Sequence, residues 1–314
     1  MLGLIQIVIP VFLVIGAGYI ATRLKLFSDS GADGLMVFTQ GFAIPCLLFA
    51  ALARLDLGAV FDIRLLISFY VGASTCFVLG ILGARLIFRR RPGEAVAIGF
   101  GALFSNSVLL GLPIMERAYG TESLAANFAI ISIHAPFCYL LGITSMEIAR
   151  ADGRGPVDTV RAVVRSMFRN SLMIGLALGF IVNLGNISLP DPVWAAVDLM
   201  VRAALPAALF GLGAILTRYK LSAQLPQALM VSVLSLIVHP SIAWLMTVEV
   251  FDLSPEFVRS AVVTAAMAPG INAYVFANMY DRAKGVAASV VLLGTGMSVL
   301  SVSIWLWALS TLQP

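Results

Sequence analysis

Long apolar runs constrain this chain more than any other feature. Runs of about 20 apolar residues, enough to cross the hydrocarbon core of a bilayer as helix, recur ten times. They cover roughly residues 3–21, 32–53, 63–88, 95–118, 124–148, 168–187, 193–217, 225–250, 257–280 and 285–311. In lipid the backbone must satisfy its own hydrogen bonds, which a helix of this length does. Of the 314 residues, 60% are hydrophobic and 11% are charged, where a soluble domain carries about 25% charged residues. The chain therefore reads as an all-α integral membrane protein with ten transmembrane helices. Its first run lacks a basic leader, and Arg23 and Lys25 follow it, so it is expected to be a retained helix rather than a signal peptide.

The chain also matches itself. Pro45-Cys-Leu-Leu-Phe49 lies over Pro206-Ala-Ala-Leu-Phe210 at an offset of 161 residues, and the same offset lays Gly18 on Gly179, Ile20 on Ile181 and Tyr119 on Tyr280. One ungapped offset across several helices implies two repeats of five. Residues 1–148 form the first repeat, 149–167 a linker and 168–314 the second. Five is odd, so the second repeat enters from the opposite face and the repeats are inverted.

Orientation follows from the basic residues. With this arrangement 15 of the 20 Lys and Arg fall on one side and four on the other, Arg202 lying within a helix. The rich side is cytoplasmic and both termini face outward. That topology also explains a net charge of +4 without a nucleic-acid partner. The linker begins Asp152-Gly-Arg-Gly-Pro156, a turn, and continues over 157–168 as a basic amphipathic segment suited to lie on the inner leaflet.

Two of the ten runs are interrupted at matching places. Phe104-Ser-Asn-Ser-Val-Leu-Leu-Gly-Leu-Pro-Ile114 breaks the fourth, and Ala268-Pro-Gly-Ile-Asn-Ala-Tyr-Val-Phe-Ala277 breaks the ninth, Gly111 falling over Asn272 in the repeat. Proline removes a donor and glycine admits unusual dihedrals, and unwound backbone must lie against protein or line a wet cavity. Paired interruptions in two halves are a sequence pointer to a transporter's binding site. The candidate substrate-binding set is Ser105, Asn106, Ser107, Gly111, Pro113, Pro269, Gly270, Asn272 and Tyr274.

The chemistry of that set favours an anion. No carboxylate lies deep in a run: the acidic residues are in loops or near predicted helix ends, and Asp198 stands four residues before Arg202, a pair at helical spacing. A cation/proton antiporter, which needs a deep carboxylate, is disfavoured on that ground, and no sodium dependence is expected. Half-helix N-termini instead supply unpaired N–H groups and positive ends, with amides from Asn106 and Asn272 and hydroxyls from Ser105 and Ser107. A metal would want clustered anionic oxygen or sulfur ligands; neither a metal nor a cofactor is expected. His134 lies within the fifth run and is the candidate for proton coupling; His239, before Pro240, is the second intramembrane histidine. Cys46, Cys76 and Cys138 lie in apolar runs without metal-ligand spacing. Hydrolase and nucleotide-binding motifs are absent from the sequence, so no enzymatic activity is expected.

Asn106-x-x-x-x-Gly111-x-Pro113, Gly270-Ile271 with Val275-Phe-Ala277 and Tyr280, Pro45-x-x-x-Phe49 and Ser298 together resemble the motifs of the auxin efflux carrier family, which includes plant auxin carriers and bacterial malate and malonate carriers. The resemblance covers essentially the whole chain. It implies broken helices 4 and 9 that cross, in an architecture like those of bile acid/sodium symporters and sodium/proton antiporters. It also implies a scaffold domain (helices 1, 2, 6 and 7) and a transport domain (helices 3–5 and 8–10) moving as an elevator, with a carboxylate held at Asn106 and the backbone of Gly111, Pro269 and Gly270. Ser105 stands where plant members have proline, the ninth-helix proline is at 269, and the long loop of many plant carriers is missing. These departures point to the bacterial branch, to a bacterial inner membrane, and to small organic acids rather than auxin. The expected partners are a small organic anion and the lipid bilayer, with homodimerisation left open. A membrane sensor that binds such an acid without moving it is the alternative.

Overall fold

The computed structural model describes residues 2–149, 157, 161, 171–220 and 224–311. Apart from these, the linker over 149–167 and its amphipathic segment lie outside the described residues. Among the described residues the regular structure is helical, and the only pairing of extended backbone is one isolated bridge. The helices are α1 (Leu2–Arg23), α2 (Asp29–Phe38), α3 (Ile44–Ala53), the short α4 (Leu57–Val60), α5 (Ile63–Leu86), α6 (Pro92–Leu103), α7 (Leu112–Tyr119) and α8 (Leu124–Ala149). They continue with α9 (Ser171–Leu184), α10 (Asp191–Leu216), α11 (Leu225–Val233), α12 (His239–Trp244), α13 (Pro255–Ala265), α14 (Ile271–Met279) and α15 (Lys284–Leu309). Single π-helical turns join α2 to α3 and α11 to α12 and open the way into α7.

Among the described residues seven stretches are long and apolar enough to cross a membrane: Gln6–Arg23, Asp29–Ala53, Ile63–Leu86, Thr121–Ala149, Asp191–Leu216, Leu225–Val250 and Lys284–Leu309. Two of the three runs that make the difference from ten fall short for a physical reason. The fourth run is split into α6 and α7 and the ninth into α13 and α14, so neither is one long helix. The sixth run is described only from Ser171, which leaves the 14 residues of α9.

The chain divides into two compact units. One comprises Met1–Ile9, Phe61–Val163 and Tyr219–Pro314, the other Pro10–Val60 and Val164–Arg218. In the second unit α9 and α10 pack on α3. Asn183 Nδ2 donates to the carbonyls of Leu52 (2.8 Å), near the end of α3, and Leu55 (2.7 Å), just past it. Asp198 does not take Arg202 as its main partner. Both its oxygens accept from Arg54, at 2.9 and 3.1 Å, and the Arg54 guanidinium lies 4.1 Å over the Trp194 ring. The fork of arginine suits a two-oxygen contact from another helix, which helical spacing within α10 could not foretell.

In the first unit α5 packs along α6, and α11 packs along α15. Lipid tails give helices little hydrophobic reason to associate, so close backbone approach through small residues must do it. Gly80 and Gly99 make that approach: a Cβ on Gly80 would lie 2.9 Å from Gly99 Cα. Around them Cys76, Ala84, Ala95, Ile98, Ala102, Ala228, Val231 and Val290 are buried. Pro240 cannot donate to a carbonyl one turn back; Leu236, four residues before it, instead accepts from Trp305 Nε1 at 2.9 Å. Asp62 caps α5 by accepting from the Arg64 amide at 2.7 Å, and the Arg64 guanidinium holds its carboxyl below the usual range.

Candidate functional site

Both interruptions lie in the first unit, and they satisfy each other. α6 ends at Leu103 and Phe104 turns extended, while α13 ends at Ala265 and Gly270 is extended. Ser105 and Pro269 pair as an antiparallel bridge. Asn106 N–H donates to Ala268 carbonyl at 2.8 Å, and Gly270 N–H donates to Phe104 carbonyl at 3.0 Å. Backbone groups that could face neither lipid nor a dry interior are thereby paired. Helix α11 leads into a further support, since Ser235 Oγ donates to the Met267 carbonyl at 3.2 Å.

Beyond the bridge each chain re-enters helix, leaving first-turn amides without intrahelical partners. After Asn106 a π-helical turn spans Ser107–Gly111 and passes into α7. The Asn106 carbonyl accepts from Leu110 (3.2 Å) and Gly111 (3.0 Å), so the amides of Ser107, Val108 and Leu109 find no partner among the described residues. Those of Ile271 and Asn272, at the start of α14, are in the same position. Two half-helix N-termini thus flank the bridge, each with free donors and a partial positive charge.

The candidate residues divide accordingly. Ser105 (2% exposed), Asn106 (6%) and Ser107 (3%) are buried, as are Gly111, Pro269 and Gly270. Gly111 approaches the second break, since a Cβ there would stand 3.3 Å from Met267 Cγ. Pro113 does not make the break. The chain has already left helical geometry at Phe104, and Pro113 lies six residues after helix resumes at Ser107, where the π-helical turn runs on into α7. Asn272 is half-buried at the start of α14. Tyr274 is half-buried with its ring 5.0 Å from that of Tyr219, and no hydrogen bond links it to the bridge.

His134 is drawn to the crossover. Its Nε2 lies 3.4 Å from Ser105 Oγ, its ring meets Phe104 edge-on at 4.8 Å, and Cys138 Sγ lies 3.8 Å from Nδ1. His239 is also buried, but its Nε2 faces the Phe69 carbonyl at 3.1 Å, which is a bond between packed helices.

Three residues at or near the site escaped the sequence reading. Tyr139, on α8, donates its hydroxyl to Asn272 Oδ1 at 3.3 Å. Asn127 Nδ2 donates to Thr264 Oγ1 at 2.6 Å, tying α8 to the half-helix before the second break. A usable signal existed for Tyr139: it lies well inside an apolar run, whereas membrane tyrosines collect at the interfaces. Asn127 and Thr264 carry no such signal, being separated by 137 residues.

The profile of a family described as "Membrane transport protein" matches residues 4–306. A Rhizobium meliloti (strain 1021) protein named "Putative malonate transporter" is 24% identical over 95% of this chain and 93% of its own length. A Methanothermobacter thermautotrophicus protein named as a transporter is 25% identical over 97% of this chain and 98% of its own. The mouse "Lysosomal cholesterol signaling protein" is 24% identical over 96% of this chain and 37% of its own length.

Proposed function

The chain belongs to the membrane transport protein family, an integral membrane transporter by that membership, and on this premise we propose that it carries a small organic carboxylate. The observation that carries the reading is the pair of half-helix N-termini flanking the Ser105–Pro269 bridge. Free amides of Ser107–Leu109 and of Ile271–Asn272 meet a carboxylate's oxygens with donors and positive dipole ends. The Asn106 side chain adds an amide at the same level, and Ser105 and Ser107 add hydroxyls. Malonate is a fitting probe, since one relative is named for it.

In this reading ten helices in two inverted repeats build the protein, and helices 4 and 9 cross at the bridge. The unit that holds the bridge carries the anion in an elevator movement, and the other unit serves as scaffold. Binding energy need only be available at the bridge in both end states, because a rigid carrier takes its site with it.

A sensor that binds an acid without moving it is the second reading, favoured by the mouse relative named for signalling. Uptake of labelled malonate, malate and indole-3-acetate into proteoliposomes separates the two. The transporter reading expects saturable uptake of at least one acid. Binding with no flux of any of them under any imposed gradient would favour the sensor.

If uptake is driven by a proton gradient, His134 is the group at the crossover that can respond, with Ser105, Cys138 and the Phe104 ring around it. His134→Gln keeps a hydrogen-bonding side chain of similar reach but does not gain a proton. It is expected to remove the response of uptake to an imposed pH gradient. A variant whose pH response matches wild type excludes His134, leaving membrane potential acting on the anion as the driving force.

A further inference from the structure

Tyr139 reaches the second half-helix at the point where the polarity of the site is decided. A side-chain amide offers an acceptor on one face and two donors on the other, so the group holding one face chooses what the other presents. Tyr139 is 8% exposed, its ring packed by Phe100 at 5.7 Å and by Phe104, edge-on, at 5.9 Å. Its hydroxyl donates to Asn272 Oδ1 at 3.3 Å. The Asn272 Nδ2 group has no hydrogen-bond partner among the described residues, and it stands in the same turn as the free amides of Ile271 and Asn272.

We infer that Tyr139 is a positioning residue that fixes the sign of the site by holding Asn272 Oδ1 and so turning the Nδ2 donors toward the ligand. With the acceptor occupied, this half-helix end presents donors only. It receives a carboxylate and discriminates against the corresponding neutral amide, whose own N–H groups find no acceptor there. Unmet polar groups in a buried site are what makes such discrimination strong. Without the tyrosine hydroxyl the amide is free to turn, and its oxygen can fold back on the amides of its own turn, removing donors from the ligand. The inference rests on the carboxylate reading above and adds how the protein enforces it.

The test is calorimetric titration of malonate and of its neutral diamide, malonamide, onto four purified proteins: wild type, Tyr139→Phe, Asn272→Ala and the double variant. Phenylalanine keeps the ring and its packing. Tyr139→Phe is expected to weaken malonate by about tenfold, the scale of one hydrogen bond at a buried site, while malonamide binds no more weakly than before. In the Asn272→Ala background the same change should cost nothing further, because there is no amide left to orient. An equal loss with and without Asn272 would overturn the inference, showing that Tyr139 acts on the ligand or the packing directly. So would an unchanged malonate affinity in Tyr139→Phe. Failure of wild type to bind malonate, malate or indole-3-acetate would overturn the carboxylate reading itself, a result visible before any variant is compared.

Discussion

Asn106→Ala is expected to weaken binding of the carried acid by about 5- to 150-fold without unfolding the protein. The two halves of that expectation come from different atoms. The Asn106 backbone is fully engaged, its N–H on Ala268 and its carbonyl on Leu110 and Gly111, and alanine keeps all of these bonds. The side-chain amide has no hydrogen-bond partner among the described residues although the residue is 6% exposed. Losing one such group opposite a ligand costs about 1–3 kcal/mol, which gives that range at tenfold per 1.4 kcal/mol. Asn272→Ala should fall between Asn106→Ala and an exposed control, at no less than the roughly tenfold loss expected of Tyr139→Phe, since its Oδ1 is held by Tyr139 and only its Nδ2 end is left for the ligand. Asn278, exposed near the end of α14, is the control, and its alanine variant should bind as wild type does. Titration together with a melting curve checks both halves at once. Wild-type affinity in a folded Asn106→Ala would contradict the expectation.

Gly294→Ala should have the larger effect on the molecule as a whole. A Cβ at Gly294 would stand 2.8 Å from Pro269 Cδ and 3.5 Å from Cγ, so α15 or the bridge must yield. Pro269 has little freedom to move, being flanked by the Ala268 carbonyl and Gly270 amide that hold the two breaks together. Forcing a methyl into such packing costs about 1–3 kcal/mol. The strain falls on the site itself, so we expect a lower melting temperature and loss of most uptake. Gly296→Ala is a sharp control on the same helix. Nothing lies within 4 Å of a Cβ there, and alanine is the better helix former by up to about 1 kcal/mol; that variant should be as stable as wild type or more so. Equal behaviour of the two variants would show that the approach of Pro269 to α15 does not matter to the site.

The sequence carried the places where helix fails but not what the failures do for each other. Proline and glycine in a long apolar run mark a break whatever the partner, and the chain leaves helix at Phe104 and again past Ala265. Which proline acts was not legible. Pro269 lies in its break, whereas Pro113 lies past its own, within helix that has already resumed at Ser107, and the residue type alone does not tell a break from a tolerated helical proline. The bridge itself joins positions more than 160 residues apart, beyond any local pattern. Asp198 shows the same limit: spacing offered Arg202, and packing supplied Arg54. Tyr139 and His134 share α8 and reach opposite breaks, which becomes visible only when both breaks are brought to one level.

A structure of the protein determined with malonate at saturating concentration tests the central claim most directly. The account predicts one carboxylate within hydrogen-bond distance of the free amides of Ser107–Leu109 or Ile271–Asn272, with Asn106 in contact and the Ser105–Pro269 bridge intact. Malonate bound elsewhere, with those amides still without a partner, would contradict it.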